Sequence, residues 1–275
     1  MVLVNGEPRQ FVSIFDRGFQ YGDGLFETIE ISGGHPVYLD RHLKRLKLGC
    51  ERLKIPCPDR HLLVHEAQSL AENQAQAVLK VIITRGLGGR GYRQPDVLQP
   101  TRVISLHPFP EYPEVFKRQG IRARFCSTRL GLNPALAGIK HLNRLEQVLA
   151  RAEWSEAAIQ EGLMLDSNDH VIEGTMTNLF YIADGQLHTA PLTQTGVAGI
   201  MREIIIELAK LNRLEVAVHF FKTPDLLAAE EIFVCNSIIG LWPVTELETR
   251  IFVKGTVTRR IMSWLACYKQ QWLGQ

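Results

Sequence analysis

What the chain lacks narrows its chemistry first. Its five cysteines, Cys50, Cys57, Cys126, Cys235 and Cys267, are odd in number and scattered, with no CxxC pair. They read as reduced thiols, mostly filling core positions, as expected of a cytoplasmic protein rather than a disulfide scaffold. Nine histidines form no HExxH and no close His/Cys cluster, so neither a structural nor a catalytic metal is expected. A net charge of +2 offers no strongly basic face for nucleic acid and no acidic tail. No apolar run approaches a membrane span. The start, "MVLVNGEPRQF", turns polar after four residues, which argues against a signal peptide. What remains is an ordinary soluble composition, 45% hydrophobic and 22% charged over 275 residues, enough for one large domain or two modest ones.

Two halves emerge along the chain. "RVISLHPFPEYPEVF" carries Pro108, Pro110 and Pro113 just after a strand-like run, which places a boundary near residue 110 and divides the chain into 1–110 and 111–275. The first half shows short strands at "VLVNG", "LFETIEI", "VLKVIITRG" and "TRVISLHP". Between them, "LDRHLKRLKLGCERLKI" puts Leu39, Leu43, Leu46, Cys50 and Leu53 on one helical face, with Asp40 as expected N-cap, and a second helix covers about 59–73. The second half has strands at "IRARFCS", "EGLMLDS", "HVIEGT", "NLFYIAD", "QLHTA", "EVAVHFF" and "EEIFVCNS". Hairpin turns are expected at Asn168–Asp169 and Asp184–Gly185, and helices at 139–154, 199–211 and near the C-terminus. Strands and helices mix in each half without βαβ alternation, so the class is α+β and not a Rossmann sheet.

Three stretches have ligand-binding character. "LTQTGVAGIMREIIIEL" sets Thr193, Thr195, Gly196, Ala198 and Gly199 before a helix whose free N–H groups suit a phosphate, although a merely capped helix reads the same way. "ITRGLGGRGYRQPD" holds four glycines and three arginines, a mobile cationic loop suited to anionic substrates or simply a solvated one. In "LNPALAGIKHLNRLEQVLARAEW", Lys140 stands where irregular chain turns into an expected helix with Leu142, Leu145, Val148 and Leu149 as its buried stripe. A lysine against apolar walls is desolvated and becomes both nucleophile and base, whereas in isolation it would read as a cation snorkelling from a helix end.

Taken in order, "FDRGFQYGDGLFETIEI", "LDRHLKRL", "ITRGLGGRGY", "LAGIKHLNRLEQVLAR", "GLMLDSNDHVIEGTMTNLF", "AGIMRE" and "EEIFVCNSIIGLWPV" resemble the fold-type IV enzymes that use pyridoxal 5'-phosphate (PLP). That group includes branched-chain and D-amino acid aminotransferases and 4-amino-4-deoxychorismate lyases. The resemblance implies a small N-terminal domain, a larger C-terminal mixed α+β domain and a cofactor at their interface. "GGRGY" followed by "AGIKHLNRLEQVLAR" is most similar to the lyases of folate biosynthesis. By the resemblance, Lys140 is the lysine that carries the cofactor, and Glu173 pairs with the pyridine nitrogen so that the ring accepts electrons. Arg45 falls on the phosphate-binding arginine, the N–H groups of Ile200 and Met201 on the phosphate cradle, and Ser237 on a further phosphate donor. Asn178 is expected to orient a neighbour of the cofactor.

The implied reaction converts 4-amino-4-deoxychorismate to 4-aminobenzoate and pyruvate. Lys140 takes a proton from the carbon bearing nitrogen, and two substrate carboxylates need cations, with Arg90 first and Arg93 and Arg144 behind it. Thr28 stands where aminotransferases reading "FEG" carry glycine, so its hydroxyl is expected beside the leaving group, although a strand threonine of good β-propensity reads equally there. Two positions depart from the family. The aminotransferase tyrosine five residues after the lysine is Leu145, with Asn143 and Arg144 nearby, and a cysteine pair of the enteric lyases is Gly174–Thr175. An aminotransferase of the same fold is the alternative, and a homodimer is expected from the resemblance alone.

Overall fold

A computed structural model describes residues 1–274. The chain divides into two compact units, one formed by Met1–Pro110 with Ile139–Asn143, the other by Glu111–Gly138 and the residues from Arg144 onward.

The first unit contains β1 (Val2–Val4), β2 (Glu7–Pro8), α1 (Arg17–Tyr21), β3 (Gly24–Ser32), β4 (His35–Pro36), α2 (Leu39–Leu53), α3 (Arg60–Ala71), β5 (Gln76–Thr84) and β6 (Thr101–His107). Its strands form one antiparallel sheet in the order β2-β1-β6-β5-β3-β4. Period-2 alternation puts Leu25, Ile29 and Ile31 of β3 on the same face as Leu79, Val81 and Ile83 of β5, and this face buries Leu39, Leu43, Leu46 and Cys50 of α2. Asp40 is not the N-cap of α2. Tyr38 takes that place in a left-handed conformation (φ 55°), because Val37 N–H is tied back to Glu30 C=O at 2.7 Å and the chain must turn at the next residue. Asp40 instead accepts from Arg60 at 2.7 Å.

The second unit contains α4 (Glu114–Gln119), β7 (Ile121–Leu130), α5 (Leu145–Arg151), β8 (Glu161–Asp166), β9 (Val171–Gly174), β10 (Asn178–Ala183) and β11 (Gln186–Thr189). It continues through α6 (Ile200–Leu211), β12 (Val216–Val218), α7 (Thr223–Ala228), β13 (Glu231–Asn236), β14 (Gly240–Leu247), β15 (Arg250–Ile251) and α8 (Thr256–Leu273). The sheet runs β12-β11-β10-β13-β14-β7-β8-β9, and β9 pairs back onto β10 at Glu173↔Asn178, closing a ring of six strands. Closure leaves β8 and β9 buried along their whole length, so that Glu161, Asp166 and Glu173 are buried with their apolar neighbours.

The helix expected over 139–154 is much shorter. Ile139–Asn143 is extended, and only Leu145–Arg151 is helical. The stripe assigned to its core face is also corrected: Leu145, Val148 and Leu149 are 76%, 60% and 60% exposed, and Ala150 faces inward instead. The helix starts six residues late, and its short span meets β7 and β8 through Ala150 rather than through those leucines.

One charged residue breaks the core pattern of the first unit. Glu27 shares the buried face of β3 with Leu25 and Ile29 and is 1% exposed. A carboxylate there requires partners. Arg45, one turn after His42 on α2, forks it, with Nε 2.8 Å from Oε1 and Nη2 on Oε2, while His42 Nδ1 lies 2.7 Å from Oε2. Burial alone would raise the Glu27 pKa, but the Arg45 charge and the hydrogen bonds from His42 and Arg45 outweigh it and hold the group at about 2. Burial also pushes His42 below its ordinary value, with Glu27 opposing.

A carboxyl whose folded pKa is depressed contributes stability above its unfolded value and loses it as pH falls through the folded value. The shift from 4.5 to about 2 places that loss between those two pH values and corresponds to about 3 kcal/mol. His42 acts in the same direction from about pH 6.5 downward, since the unfolded chain takes up a proton that the folded chain resists. Glu27→Gln should therefore lower unfolding free energy at neutral pH by about 3 kcal/mol, leaving Arg45 buried without its anion. Urea titrations at pH 7, 4 and 3 check this: the gap between wild type and variant should shrink as pH falls, and a pH-independent gap would contradict it.

Candidate active site

Lys140 is placed by strand pairing, not by a helix start. β4 covers only the last residues of β3, and Ile139–Asn143 lies along the edge left at Gly24–Phe26. Phe26 N–H donates to Lys140 C=O and Leu142 N–H to Gly24 C=O, both at 3.0 Å, with Leu25 opposite His141. Asn143 fixes the end of this segment by donating from Nδ2 to Gly22 C=O at 3.0 Å. The Lys140 ammonium stands 4.2 Å from the centre of the Phe26 ring.

Alternation along β3 puts Phe26 and Thr28 on the side of the sheet opposite Glu27. Thr28 lies directly across from Lys80 of β5, whose ammonium is 5.4 Å from the same Phe26 ring. Two lysines thus lie against one aromatic ring, with a threonine beside them. Sequence reading missed Lys80, although its place six residues before Gly86 in a period-2 strand puts it on that face. Behind the sheet, the charge of Lys140 acts on His42, whose Nε2 is buried with no hydrogen-bond partner.

The glycine-rich loop is held rather than free. Arg17, itself 4% exposed, donates from Nη1 to Gly91 C=O at 3.1 Å and pairs through Nε with Asp23 at 2.9 Å. Arg85 grips the same Asp23 at 2.7 Å and the carbonyls of Leu53 and Lys54 at 2.8 Å each. Burial raises the Asp23 pKa, but the hydrogen bonds from Arg85 and Arg17 outweigh it and lower it. Gly88 is required here, since a Cβ would stand 2.6 Å from Arg17 Cδ. Arg90 and Arg93 project from this anchored loop into solvent, Arg93 paired with Asp96 at 2.7 Å. The Arg17–Asp23–Arg85 network was missed because its members are spread over 69 positions.

In the second unit the site residues gather where the sheet closes. Glu173 Oε2 accepts from Val197 N–H at 2.8 Å and lies 3.5 Å from Asn178 Nδ2, which also donates to Val197 C=O at 2.9 Å. The loop carrying Val197 leads into α6, whose N-cap Gly199 makes no side-chain cap bond. A Cβ on Gly199 would fall 1.9 Å from Asn178 Oδ1, so glycine is obligatory. The first N–H groups of α6, at Ile200 and Met201, therefore start beside Asn178 without a capping side chain. Ser237 sits in a turn that Asn236 organises, accepting from Ile238 and Ile239 N–H at 2.8 and 2.9 Å.

Two arginines face Glu173 electrostatically. Burial lowers the Arg144 pKa, with Glu173 and Glu146 opposing. Burial likewise lowers that of Arg202, with Cys235 and Glu173 opposing, and Arg202 donates to Ala190 C=O at 2.9 Å. Arg144 thus lies in the field of Glu173 within the second unit. Leu145, at the aminotransferase tyrosine position, points into solvent. Thr175 commits its N–H and hydroxyl to the buried Glu161 at 3.0 and 2.6 Å, and Thr177 adds a bond at 2.8 Å. Burial raises the Glu161 pKa against these bonds. Glu161 thereby fixes the turn after Glu173, a role with no signal in its sequence surroundings.

Comparison with known proteins places this geometry. The family described as amino-transferase class IV matches residues 24–247. The aminodeoxychorismate lyase of Vibrio harveyi is 40% identical over 95% of this chain and 98% of its own. The crystal structure of 4-amino-4-deoxychorismate lyase from Pseudomonas aeruginosa superposes with a TM-score of 0.94 at 44% identity, covering 97% of this chain and 98% of that one. A putative branched-chain-amino-acid aminotransferase of Methanocaldococcus jannaschii is 31% identical, covering 95% of this chain and 92% of its own.

Proposed function

The chain belongs to the amino-transferase class IV family, and from that premise we infer that it is a PLP-dependent lyase converting 4-amino-4-deoxychorismate to 4-aminobenzoate and pyruvate. The observation that carries this reading is the face of β3: Lys140 stands over Phe26, with the hydroxyl-bearing Thr28 next along the same side of the strand. The near-full-length likeness to two lyases supports it.

The donor set fits PLP. In the second unit a helix start with an obligatory glycine and no capping side chain suits its phosphate. Ile200 and Met201 are therefore assigned to the phosphate, and the resemblance assigns Ser237 and Arg45 to it as well, Arg45 while its Nε and Nη2 also hold Glu27. Glu173, its Oε2 already fixed by Val197 N–H, is assigned to the pyridine nitrogen, with Asn178 holding the carboxylate's orientation. Bound there, PLP supplies an electron sink for the pair released when a neighbouring carbon loses its proton.

The chain's own groups move the protons. Lys140 removes the proton from the substrate carbon that bears nitrogen, and the aromatic face beneath it excludes water on that side. Thr28 donates a hydrogen bond to the enolpyruvyl oxygen as it departs, orienting it or relaying a proton, since a hydroxyl is too weak an acid to do more. Lys80 and Arg90 are assigned to the two substrate carboxylates, with Arg93 and Arg144 as weaker candidates. An aminotransferase reading would require an α-keto acid partner, and it leaves Thr28 without a task.

Among the described residues no helix is long and apolar enough to cross a membrane. The cytoplasmic placement expected from the scattered cysteines belongs to the proposal. A homodimer is part of the proposal. Leu145, Val148 and Leu149 form an exposed apolar stripe on α5, which is costly in water and suited to a second copy of the chain.

Light scattering should accordingly give a dimer, and Val148→Glu with Leu149→Glu should shift it toward monomer; an unchanged dimer would remove α5 from the interface. For the chemistry, purified protein incubated with 4-amino-4-deoxychorismate and no keto acid should release pyruvate and 4-aminobenzoate in equal amounts. Thr28→Val should cut single-turnover pyruvate release about ten- to a thousandfold while PLP binding holds. Product formation that depends on an added keto acid would favour the aminotransferase, and unchanged release would leave Thr28 structural.

A further inference from the structure

Three adjacent strands of the second unit bring two imidazoles together. β10 pairs with β11 so that Tyr181 stands opposite His188, and β11 pairs with β12 so that His188 stands opposite Ala217. His219, two residues beyond Ala217, keeps the same face by alternation, and its N–H continues the ladder onto Thr189 C=O at 3.2 Å. The His188 ring stacks on Tyr181, centroids 4.6 Å and planes 12° apart, and meets the His219 ring edge-on at 5.1 Å. His188 Nδ1 and His219 Nε2 lie 2.9 Å apart. None of these residues is assigned to cofactor or substrate.

The hydrogen positions follow from what holds the outer nitrogens. His188 Nε2 donates to Ala183 C=O at 3.3 Å, and His219 Nδ1 donates to Phe220 C=O at 3.0 Å. A carbonyl oxygen only accepts, so each neutral ring keeps its hydrogen there and leaves the facing nitrogen a bare acceptor. Two lone pairs then converge, with a long hydrogen bond of 3.4 Å from the Tyr181 hydroxyl on that of His219. They repel unless a cation is shared between them. Ligating histidines are commonly fixed in this way, one nitrogen on a backbone carbonyl and the other turned to the metal.

We propose that His188 and His219 chelate one divalent transition-metal ion of the tetragonal class, Ni2+ or Cu2+, with water filling the remaining positions. Imidazole nitrogen suits these ions. Bonds of about 2.0–2.1 Å meeting at about 90° put two nitrogens about 2.9 Å apart, whereas a tetrahedral zinc angle needs about 3.3 Å. The ion stands beside the line joining the nitrogens, and a turn of the exposed His219 ring aims its lone pair there. Among the described residues no group of three or more His, Cys, Asp or Glu side chains could hold a metal. The site is therefore open, and its ion exchanges with solution.

NiCl2 is the probe, since Ni2+ does not oxidise the chain's free thiols. His61 and His65 stand one turn apart and exposed on α3, a spacing that also takes metal. Calorimetric titration is therefore run at neutral pH on PLP-loaded protein carrying His61→Gln and His65→Gln. One Ni2+ should bind per chain, and adding His188→Gln or His219→Gln should weaken it at least about tenfold. MnCl2, whose ion prefers oxygen ligands, should not bind. A second measurement needs no variant: diethyl pyrocarbonate labelling of the wild-type holoenzyme, mapped by mass spectrometry. Saturating Ni2+ should slow modification of His219 about tenfold or more, while His35, exposed on β4, reacts as before. No Ni2+ uptake, which would leave a shared proton as the cation between the rings, would overturn the proposal. So would uptake indifferent to both substitutions, or a His219 that Ni2+ does not protect.

Discussion

A carboxylate that cannot stand alone organises the first unit. Glu27 is buried on the apolar face of β3, so its charge must be met from α2, and only residues one turn apart on the facing side of that helix can meet it. His42 and Arg45 do so, which fixes the rotation of α2 against the sheet as firmly as its leucines do. The same constraint holds a cationic fork and a buried imidazole behind β3, while the other side of that strand presents Phe26 and Thr28 to Lys140. Charge on one side of a strand and chemistry on the other follow from a repeat of two.

The second unit depends on an analogous fixed point. Closing six strands into a ring requires β9 to meet β10, and they meet at Glu173 and Asn178. The carboxylate assigned to the cofactor is thus part of the closure, with Val197 N–H and the Asn178 amide on one oxygen and the Glu161-anchored turn next to it. Gly199 can be no larger because Asn178 fills the space its side chain would need.

Local pattern made much of this legible. Alternation located β3, β5 and β6, the leucine spacing located α2, and the small residues before Ile200 located the start of α6. Glu27 was legible in principle: "LFETIEI" read with period 2 puts a charge among Leu25, Ile29 and Ile31. The segment around Lys140 was misread for a physical reason. Leu142, Leu145, Val148 and Leu149 carry a helical period, but Ile139–Asn143 completes a strand edge more than a hundred residues away, and such pairing leaves no trace in local spacing. Arg85 meets Asp23 from 62 positions away and Glu161 meets Thr175 and Thr177 across a turn, so these links left no mark in local spacing either.

The central claim is that Lys140, and no other lysine, carries the cofactor. Lys80 makes this a real choice, since both ammonium groups lie against one phenyl ring, at 4.2 and 5.4 Å. Borohydride reduction of the PLP-loaded protein, followed by peptide mapping, fixes the cofactor to the lysine that holds it. The account predicts the reduced phosphopyridoxyl adduct on Lys140, and its loss with the fold intact in Lys140→Ala. An adduct on Lys80 in the wild-type protein would contradict it.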